Sequence, residues 1–245
     1  MVDISGYSSP GGREYNEDTV VVWEDEVRQC LIVADGLGGH GGGQTASFVA
    51  SELLLKAFQE TDAVDTVWLG EAYEMANRAV LGQQTPQCQM KTTCVSLFVD
   101  KGQALWAHTG DSRLYHFVNG RLTRLTTDHS VSQMAVFSGE ITWDQIRFHE
   151  DRNRVLRALG TEGPVKPDFD MAALDDGNFH AFLLCSDGFW EYVLEGEMEI
   201  DLTKAESADE WIELMVRRLE QRVDGKNDNY TAAAMFYECE GVSED

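Results

Sequence analysis

The residues of this chain with the types and spacing for chemistry are acids. Glu17 and Asp18 sit in Arg13-Glu-Tyr-Asn-Glu-Asp18, and Asp35 closes the apolar run Leu31-Ile-Val-Ala34. Asp111 stands in Gly110-Asp-Ser-Arg113, Asp187 follows Phe182-Leu-Leu-Cys-Ser186, and Asp228 opens Asp228-Asn-Tyr-Thr231. Each lies beside an apolar stretch. Asp35 and Asp187 are followed by glycine, so a buried strand delivers a carboxylate to a surface that a ligand can approach closely. No HExxH or CxxC pair is present, and no histidine or cysteine stands at zinc-ligand spacing from these acids. Carboxylates, backbone carbonyls and water suit a hard cation such as Mg2+ or Mn2+. Several carboxylates at one site raise one another's pKa and stay ionised together only with cations between them. Two such cations a few ångströms apart would hold a water, lower its pKa and make a hydroxide suited to in-line attack on phosphorus.

Taken singly, these residues have plainer meanings. Asp-Gly is a common turn pair, Arg13 alone is an ordinary surface cation, and His40 serves as readily in a loop as in chemistry. Ser112 in Gly-Asp-Ser-Arg superficially resembles a serine-hydrolase nucleophile, but no distal Asp-x-x-His accompanies it. Asp128-His-Ser130 reads as a structural turn.

The elements that must position the acids follow from periodicity. Thr19–Trp23 and Gln29–Ala34 are β-branched, strand-like runs parted by an acidic turn. Ala46, Val49, Ala50, Leu53, Leu54, Ala57 and Phe58 mark a helix, a second fits 65–83, and a third 208–223. Strands are expected at Thr92–Val99, Gln103–Thr109, Arg113–Val118 and Arg121–Thr126, with Asn119-Gly120 as a hairpin signal. Further strands fit Lys166–Leu174, Phe179–Ser186 and Tyr230–Tyr237, while 130–165 mixes short helical pieces with a charged stretch. Helices between runs of antiparallel strands predict sheets covered by helices, and 245 residues without repeats or linkers predict one domain over 1–245.

Composition narrows the partners. A formal net charge of −24 repels nucleic acid and anionic lipid. The cysteines form no CxxC pair, their number is odd, and Cys30, Cys94 and Cys185 lie in apolar runs, which predicts reduced thiols and a cytoplasmic protein. No basic-then-apolar leader and no run of about 18 apolar residues is present, so no membrane association is expected.

The blocks that carry these residues resemble, in order, the metal-dependent protein phosphatases of the type 2C (PPM) family in their compact bacterial form. They are Arg13-x-x-Asn16-Glu17-Asp18; Asp35-Gly-x-Gly-Gly-His40-x-x-Gly43; Thr92-Thr93; Gly110-Asp-Ser-Arg-x-Tyr115; Leu125-Thr-x-Asp-His-Ser130; Arg152-Asn153 leading to Leu156-Arg-Ala-Leu-Gly160; Cys185-Ser-Asp-Gly-x-Trp190; and Asp228-Asn-x-Thr231. The resemblance implies an α+β fold, a four-layer α-β-β-α sandwich of two antiparallel sheets flanked by helix pairs, with a flap lobe at about 130–165. It implies hydrolysis of phosphoserine and phosphothreonine on proteins with two, or with a third weaker site three, Mn2+ or Mg2+ ions. Asp35 would bridge two ions, Asp187 and Asp228 would complete the first, and Glu17 or Asp18 with the Gly36 carbonyl would serve the second. Asp111 would help bind the third beside Asp187, and Arg13 would hold the substrate phosphate, a task suited to a guanidinium fork. The substrates would be phosphoproteins of a serine/threonine kinase, and the chain is expected to be a monomer. The alternative is a catalytically weak pseudophosphatase acting as a binding module.

The chain departs from the family pattern at several positions. Leu37 stands where many members carry a histidine proposed to protonate the leaving alkoxide, which leaves His40, a metal-bound water or no dedicated acid. Lys91 replaces a glycine, Gln44 a glutamate, and Glu191 an aspartate that can touch the third metal.

Overall fold

The structure, a computed structural model, describes residues 1–38, 42–174 and 177–238. Two five-stranded antiparallel sheets form its centre. The first has the order β1 (Val2–Ser9), β12 (Tyr230–Glu238), β11 (Phe179–Cys185), β8 (Arg113–Val118) and β9 (Arg121–Leu125). The second has the order β10 (Asp168–Ala173), β7 (Gln103–Thr109), β6 (Cys94–Asp100), β3 (Arg28–Ala34) and β2 (Thr19–Glu24). A two-residue pair joins β4 (Gly36–Leu37) to β5 (Lys91–Thr92).

Alternation along the central strands sorts side chains into three layers of core. In β3, Cys30 and Ile32 face α1 (Gly42–Glu60) and α2 (Thr66–Gln83), whereas Leu31 and Val33 face the other sheet. In β11, Ala181, Leu183 and Cys185 face α5 (Glu195–Leu202) and α6 (Ala208–Glu220), whereas Phe182 and Leu184 meet Leu31 and Val33 between the sheets. Strands buried on both faces read as continuous apolar runs, which is why both end so visibly at an aspartate. The chain forms the α-β-β-α sandwich expected of it.

Local chemistry places the helix starts. Asp65 caps α2 by accepting the Trp68 N–H at 2.8 Å, and Ser207 caps α6 by accepting from Glu210. Helix α6 carries Asp209 and Glu210 in its first turn and Arg217 and Arg218 in its last, matching its dipole. Asn119 and Gly120 both have positive φ, 50° and 78°, as the hairpin between β8 and β9 requires.

Some elements differ from the sequence expectation. Strand β1 was not anticipated: its Ser- and Gly-rich run has little apolar alternation, and pairing with β12 along its whole length creates it. Helix α5 was missed because Glu195-Gly-Glu-Met-Glu-Ile-Asp-Leu202 shows a short, mostly acidic face. The expected strand Thr92–Val99 is broken at Thr93, which bonds to Asp35 in place of the ladder. Within 130–165 lie α3 (Val131–Phe137), capped by Ser130, and a 3-10 turn (Trp143–Phe148). Short bridges, Ser130 to Val155 and Thr92 to Leu159, tie this segment to the body.

Antiparallel pairing brings selected strand ends to one edge. Ala34 ends β3 and Thr109 ends β7; Arg113 starts β8 opposite Cys185 at the end of β11, itself opposite Ala232 in β12. Asp35, Asp111, Asp187 (the first residue of α4, Asp187–Trp190) and Asp228 therefore meet at that edge. No helix among the described residues is long and apolar enough to cross a membrane.

Candidate functional site

A cavity of about 860 Å3 opens at this edge, lined by Arg13, Glu17, Asp35, Gly36, Asp111, Asp187 and Asp228, with Glu14, Tyr15, Leu37, Asn153, Val155 and Asn229 around them. Asp18 lies just beneath, buried, and His40 falls outside the described residues. The structure thus gathers the acids expected at the site from both sheets and from the loop 10–18.

That loop has no ladder to hold it, so side chains do. The Glu17 N–H donates to Asn229 Oδ1 at 2.8 Å, and the Glu17 carbonyl accepts from Gly36 N (3.2 Å) and Ser47 Oγ (2.6 Å). Asn229 Nδ2 reaches back to the carbonyls of Pro10 and Tyr15. Gly36 is closed in by its neighbours: a Cβ there would lie 2.2 Å from the Gly43 carbonyl oxygen and 2.6 Å from that of Glu17. Only glycine fits, and its backbone is free to face the cavity.

The backbone of Asp35 is held at both ends. Its N–H donates to Thr93 Oγ1 (3.1 Å), and its carbonyl accepts from Thr93 N and Thr92 Oγ1, each at 2.9 Å. Thr93 Oγ1 lies 2.7 Å from Ser112 Oγ. Ser112 thus meets a threonine, in line with its rejection as a nucleophile. Trp190 Nε1 donates to the Asp111 carbonyl at 2.9 Å. Beneath it, Arg113 is buried in a bidentate pair with Asp128 (2.8 and 2.7 Å) and stacks 3.5 Å from the Trp190 ring centroid.

Burial and mutual repulsion set the protonation of these acids. The Asp35 carboxyl is raised well above the usual carboxylate range, by burial first and then by the charges of Asp18, Asp187, Asp111 and Asp228. Asp187 is raised by burial, then by Asp111 and Glu191. Asp111 rises to about 7 through burial and the charge of Asp128. Asp18 rises to about 6 through burial, although the Thr231 and Ser186 hydroxyls favour its ionised form. Glu17 is raised by burial, opposed by the Gly43 N–H at the start of α1.

Hydrogen bonding separates the acids further. Asp18 accepts from Ser186 Oγ at 2.8 Å, whereas neither carboxylate oxygen of the buried Asp111 has a partner among the described residues. Buried polar atoms are almost always paired. An all-oxygen set with unsatisfied, mutually raised carboxyls fits divalent cations of the Mg2+ or Mn2+ kind, which would displace the protons and fill the missing contacts. Arg13 Nη2 pairs with Asp228 Oδ2 at 2.8 Å, both side chains well exposed, so the guanidinium stands at the cavity mouth. Glu191, where an aspartate was expected, pairs with Arg152 at 2.8 Å.

A second cluster lies away from this cavity: ligand atoms of His108, His129 and Asp168 fall within 4.8 Å of one another. His129 Nδ1 accepts the Gly110 N–H (3.2 Å), which puts the proton on Nε2, where Asp168 Oδ2 receives it at 3.2 Å. Arg157 Nη1 sits 3.0 Å from that same Nε2 and 3.1 Å from Asp168 Oδ1. A protonated nitrogen beside a cation is no metal ligand. This group is an ion-paired clip.

Sequence reasoning found the acids but not their fasteners. Asn229, Thr93, Ser112, Ser186 and Thr231 carry the contacts that fix them; Thr93 stands in a block of its own and the others within the acidic blocks, but nothing in those blocks marks which atoms they hold.

A two-sheet sandwich with a carboxylate-floored cavity at one edge defines a class of metal-dependent hydrolases, and comparison with known proteins narrows it. The family model described as Protein phosphatase 2C matches residues 6–229. The serine/threonine phosphatase stp of Listeria welshimeri is 35% identical over 228 residues, covering 89% of each chain. The serine/threonine phosphatase of S. agalactiae superposes with a TM-score of 0.84 at 28% identity, covering 97% of this chain and 100% of its own. The catalytic domain of the serine threonine protein phosphatase PstP, solved with 2 manganese ions, gives 0.79 at 28% identity over 96% and 97%. The chain belongs to the protein phosphatase 2C family and is a metal-dependent protein phosphatase.

Proposed function

We propose that the chain hydrolyses phosphoserine and phosphothreonine on proteins phosphorylated by a serine/threonine kinase, working as a cytoplasmic monomer. The observation that carries the catalytic reading is the set of buried, mutually raised carboxyls in one cavity, with both oxygens of Asp111 unpartnered among the described residues. The names of the relatives support the substrate class, and a net charge of −24 opposes self-association.

Asp35, Asp187 and Asp228 would hold one divalent cation; Asp35, the Gly36 carbonyl and Glu17 would hold another; Asp111 beside Asp187 would hold a weaker third. Such cations supply charge neutralisation and a water-derived nucleophile at neutral pH. Asp18 works from below, oriented by Ser186 and Thr231, because its acceptors already face those hydroxyls. Arg13 turns from Asp228 to the phosphoryl oxygens of the substrate, where its planar fork binds two of them. In hydrolysis the P–O bond to the serine or threonine oxygen breaks, a P–O bond to the water oxygen forms, and the leaving oxygen takes a proton. The described residues lining the cavity include no imidazole, so this proton comes from His40 or from water.

The test is Mn2+-dependent release of phosphate from a phosphothreonine peptide, with Asp35→Ala and Asp187→Ala as controls. Activity that survives a chelator, or a purified chain silent with Mn2+ on several phosphoproteins, would overturn the reading; the second result would favour the binding module.

A further inference from the structure

We infer that Thr93 and Ser112 are positioning residues whose hydroxyl contact fixes the spacing of the Asp35 and Asp111 carboxylates and thereby the affinity of the site for divalent cations. The inference rests on the proposed reading of those two aspartates as cation holders.

Asp35 follows β3 and Asp111 lies two residues beyond β7, strands of one sheet with β6 between them. Their ladder stops short of both acids, at Val33–Val95 and Cys94–Thr109. Thr93, just ahead of β6, carries the link on to them. Its backbone N–H and its hydroxyl oxygen grip the carbonyl and N–H of Asp35 at 2.9 and 3.1 Å. Since Thr93 Oγ1 accepts the Asp35 N–H, its own proton is free to go to Ser112 Oγ, 2.7 Å away. Thr93 and Ser112 are completely buried, so water offers no substitute for that bond.

The carrier of Asp111 is held as firmly on its remaining sides. Gly110, with φ of +106°, donates to His129 Nδ1 and accepts from His129 N at 2.8 Å. A Cβ at Gly110 would lie 2.6 Å from Thr93 Cβ, so Thr93 packs against the backbone on one side of Asp111 and bonds to the hydroxyl on the other. The Asp111 carbonyl takes the Trp190 N–H. The Asp111 side chain alone is left unpartnered among the described residues, on a rigid mount aimed at the acids that raise Asp35. Cation affinity depends on such outer contacts because they hold the ligands at coordination distance before the ion arrives, and losing one lowers affinity about 10–100-fold.

The test compares hydroxyl with shape. Full chains carrying Thr93→Val, Thr93→Ser, Ser112→Ala and the double change Thr93→Val with Ser112→Ala are titrated with Mn2+, following the free-ion EPR signal, with circular dichroism to monitor folding. Thr93→Val and Ser112→Ala are expected to weaken average Mn2+ affinity about 10-fold, Thr93→Ser to stay within about twofold, and the double variant to fall no further than the worse single one. The Mn2+ concentration for half-maximal peptide hydrolysis should rise in step, with the rate recovering at saturation. Wild-type affinity in both Thr93→Val and Ser112→Ala, or a Thr93→Ser variant as weak as Thr93→Val, would overturn the inference. Should Thr93→Val fail to fold, Ser112→Ala decides, since it removes a single buried hydroxyl. A wild-type chain that takes up no Mn2+ overturns the parent reading, whereas uptake by wild type with unaffected variants overturns this inference alone.

Discussion

Asp111 and its companions, and the group His108, His129 and Asp168, both crowd ligand-type atoms together, yet they are opposites in what those atoms lack. In the histidine group the paired atoms dominate: Thr127 takes His108 Nε2, Gly110 gives to His129 Nδ1, and Arg157 neutralises Asp168. In the cavity the acids repel one another, and the Asp111 carboxylate receives no hydrogen bond from the described residues. Proximity of ligand atoms alone therefore does not separate the two groups. Unsatisfied acceptors whose charges raise each other do.

The largest test of this contrast is Asp187→Ala, expected to lower Mn2+-dependent phosphate release by about 1,000-fold or more as several kcal/mol of charge stabilisation is lost. Against it, Asp168→Ala should leave peptide hydrolysis within about threefold and Mn2+ affinity unchanged; a tenfold fall in either would make the histidine group part of the site. In stability the order reverses. Asp128→Ala, which strands the buried Arg113, should cost about 3–5 kcal/mol in urea unfolding.

Titration sharpens the contrast, because the two groups respond to pH with opposite signs. Asp111 and Asp18 have folded values of about 7 and about 6, above the ordinary 3.8, so their contribution is fully present below 3.8 and is lost as pH rises through 6 to 7. His129 is depressed to about 4 by burial, so its contribution is present above 6.5 and fades as pH falls toward 4. Mn2+ held by these carboxyls would keep them ionised and remove that loss at rising pH. The melting temperature gained on adding Mn2+ should therefore be larger at pH 8 than at pH 5.5, as differential scanning calorimetry would show. An equal gain at both values would mean that the acids do not hold the ion.

The smallest expected effect on stability belongs to Arg13. Its pair with Asp228 is exposed, so Arg13→Ala should shift unfolding by less than about 0.5 kcal/mol. The same change should raise KM for a phosphopeptide about tenfold, as loss of a charge-assisted fork does. A destabilised variant with normal KM would assign Arg13 to the fold.

Much of the site was legible because doubly buried strands write themselves as apolar runs, and Asp35 and Asp187 stand where those runs stop. Ordered blocks of glycine and acid did the rest. What escaped were hydroxyls. Ser186 reaches Asp18 across 168 residues, and Thr93 reaches Ser112 across 19. In a strand sequence a serine or threonine carries no mark of its distant partner. Strand β1 escaped for a related reason, since its pairing with β12, not its own pattern, makes it a strand. Asn229 looked like part of a motif and proved to be the anchor of the Arg13–Glu17 loop.

The position of the cavity at the seam has a mechanical consequence. Asp35 hangs from one sheet, Asp187 and Asp228 from the other, and Asp111 from the strand-to-strand passage between them. An ion held by these acids, as proposed, would cross-link the two halves of the sandwich. It would slow the parting of the sheets much as a reversible covalent staple does, and a chelator would then loosen the same edge to proteases that it silences for phosphate.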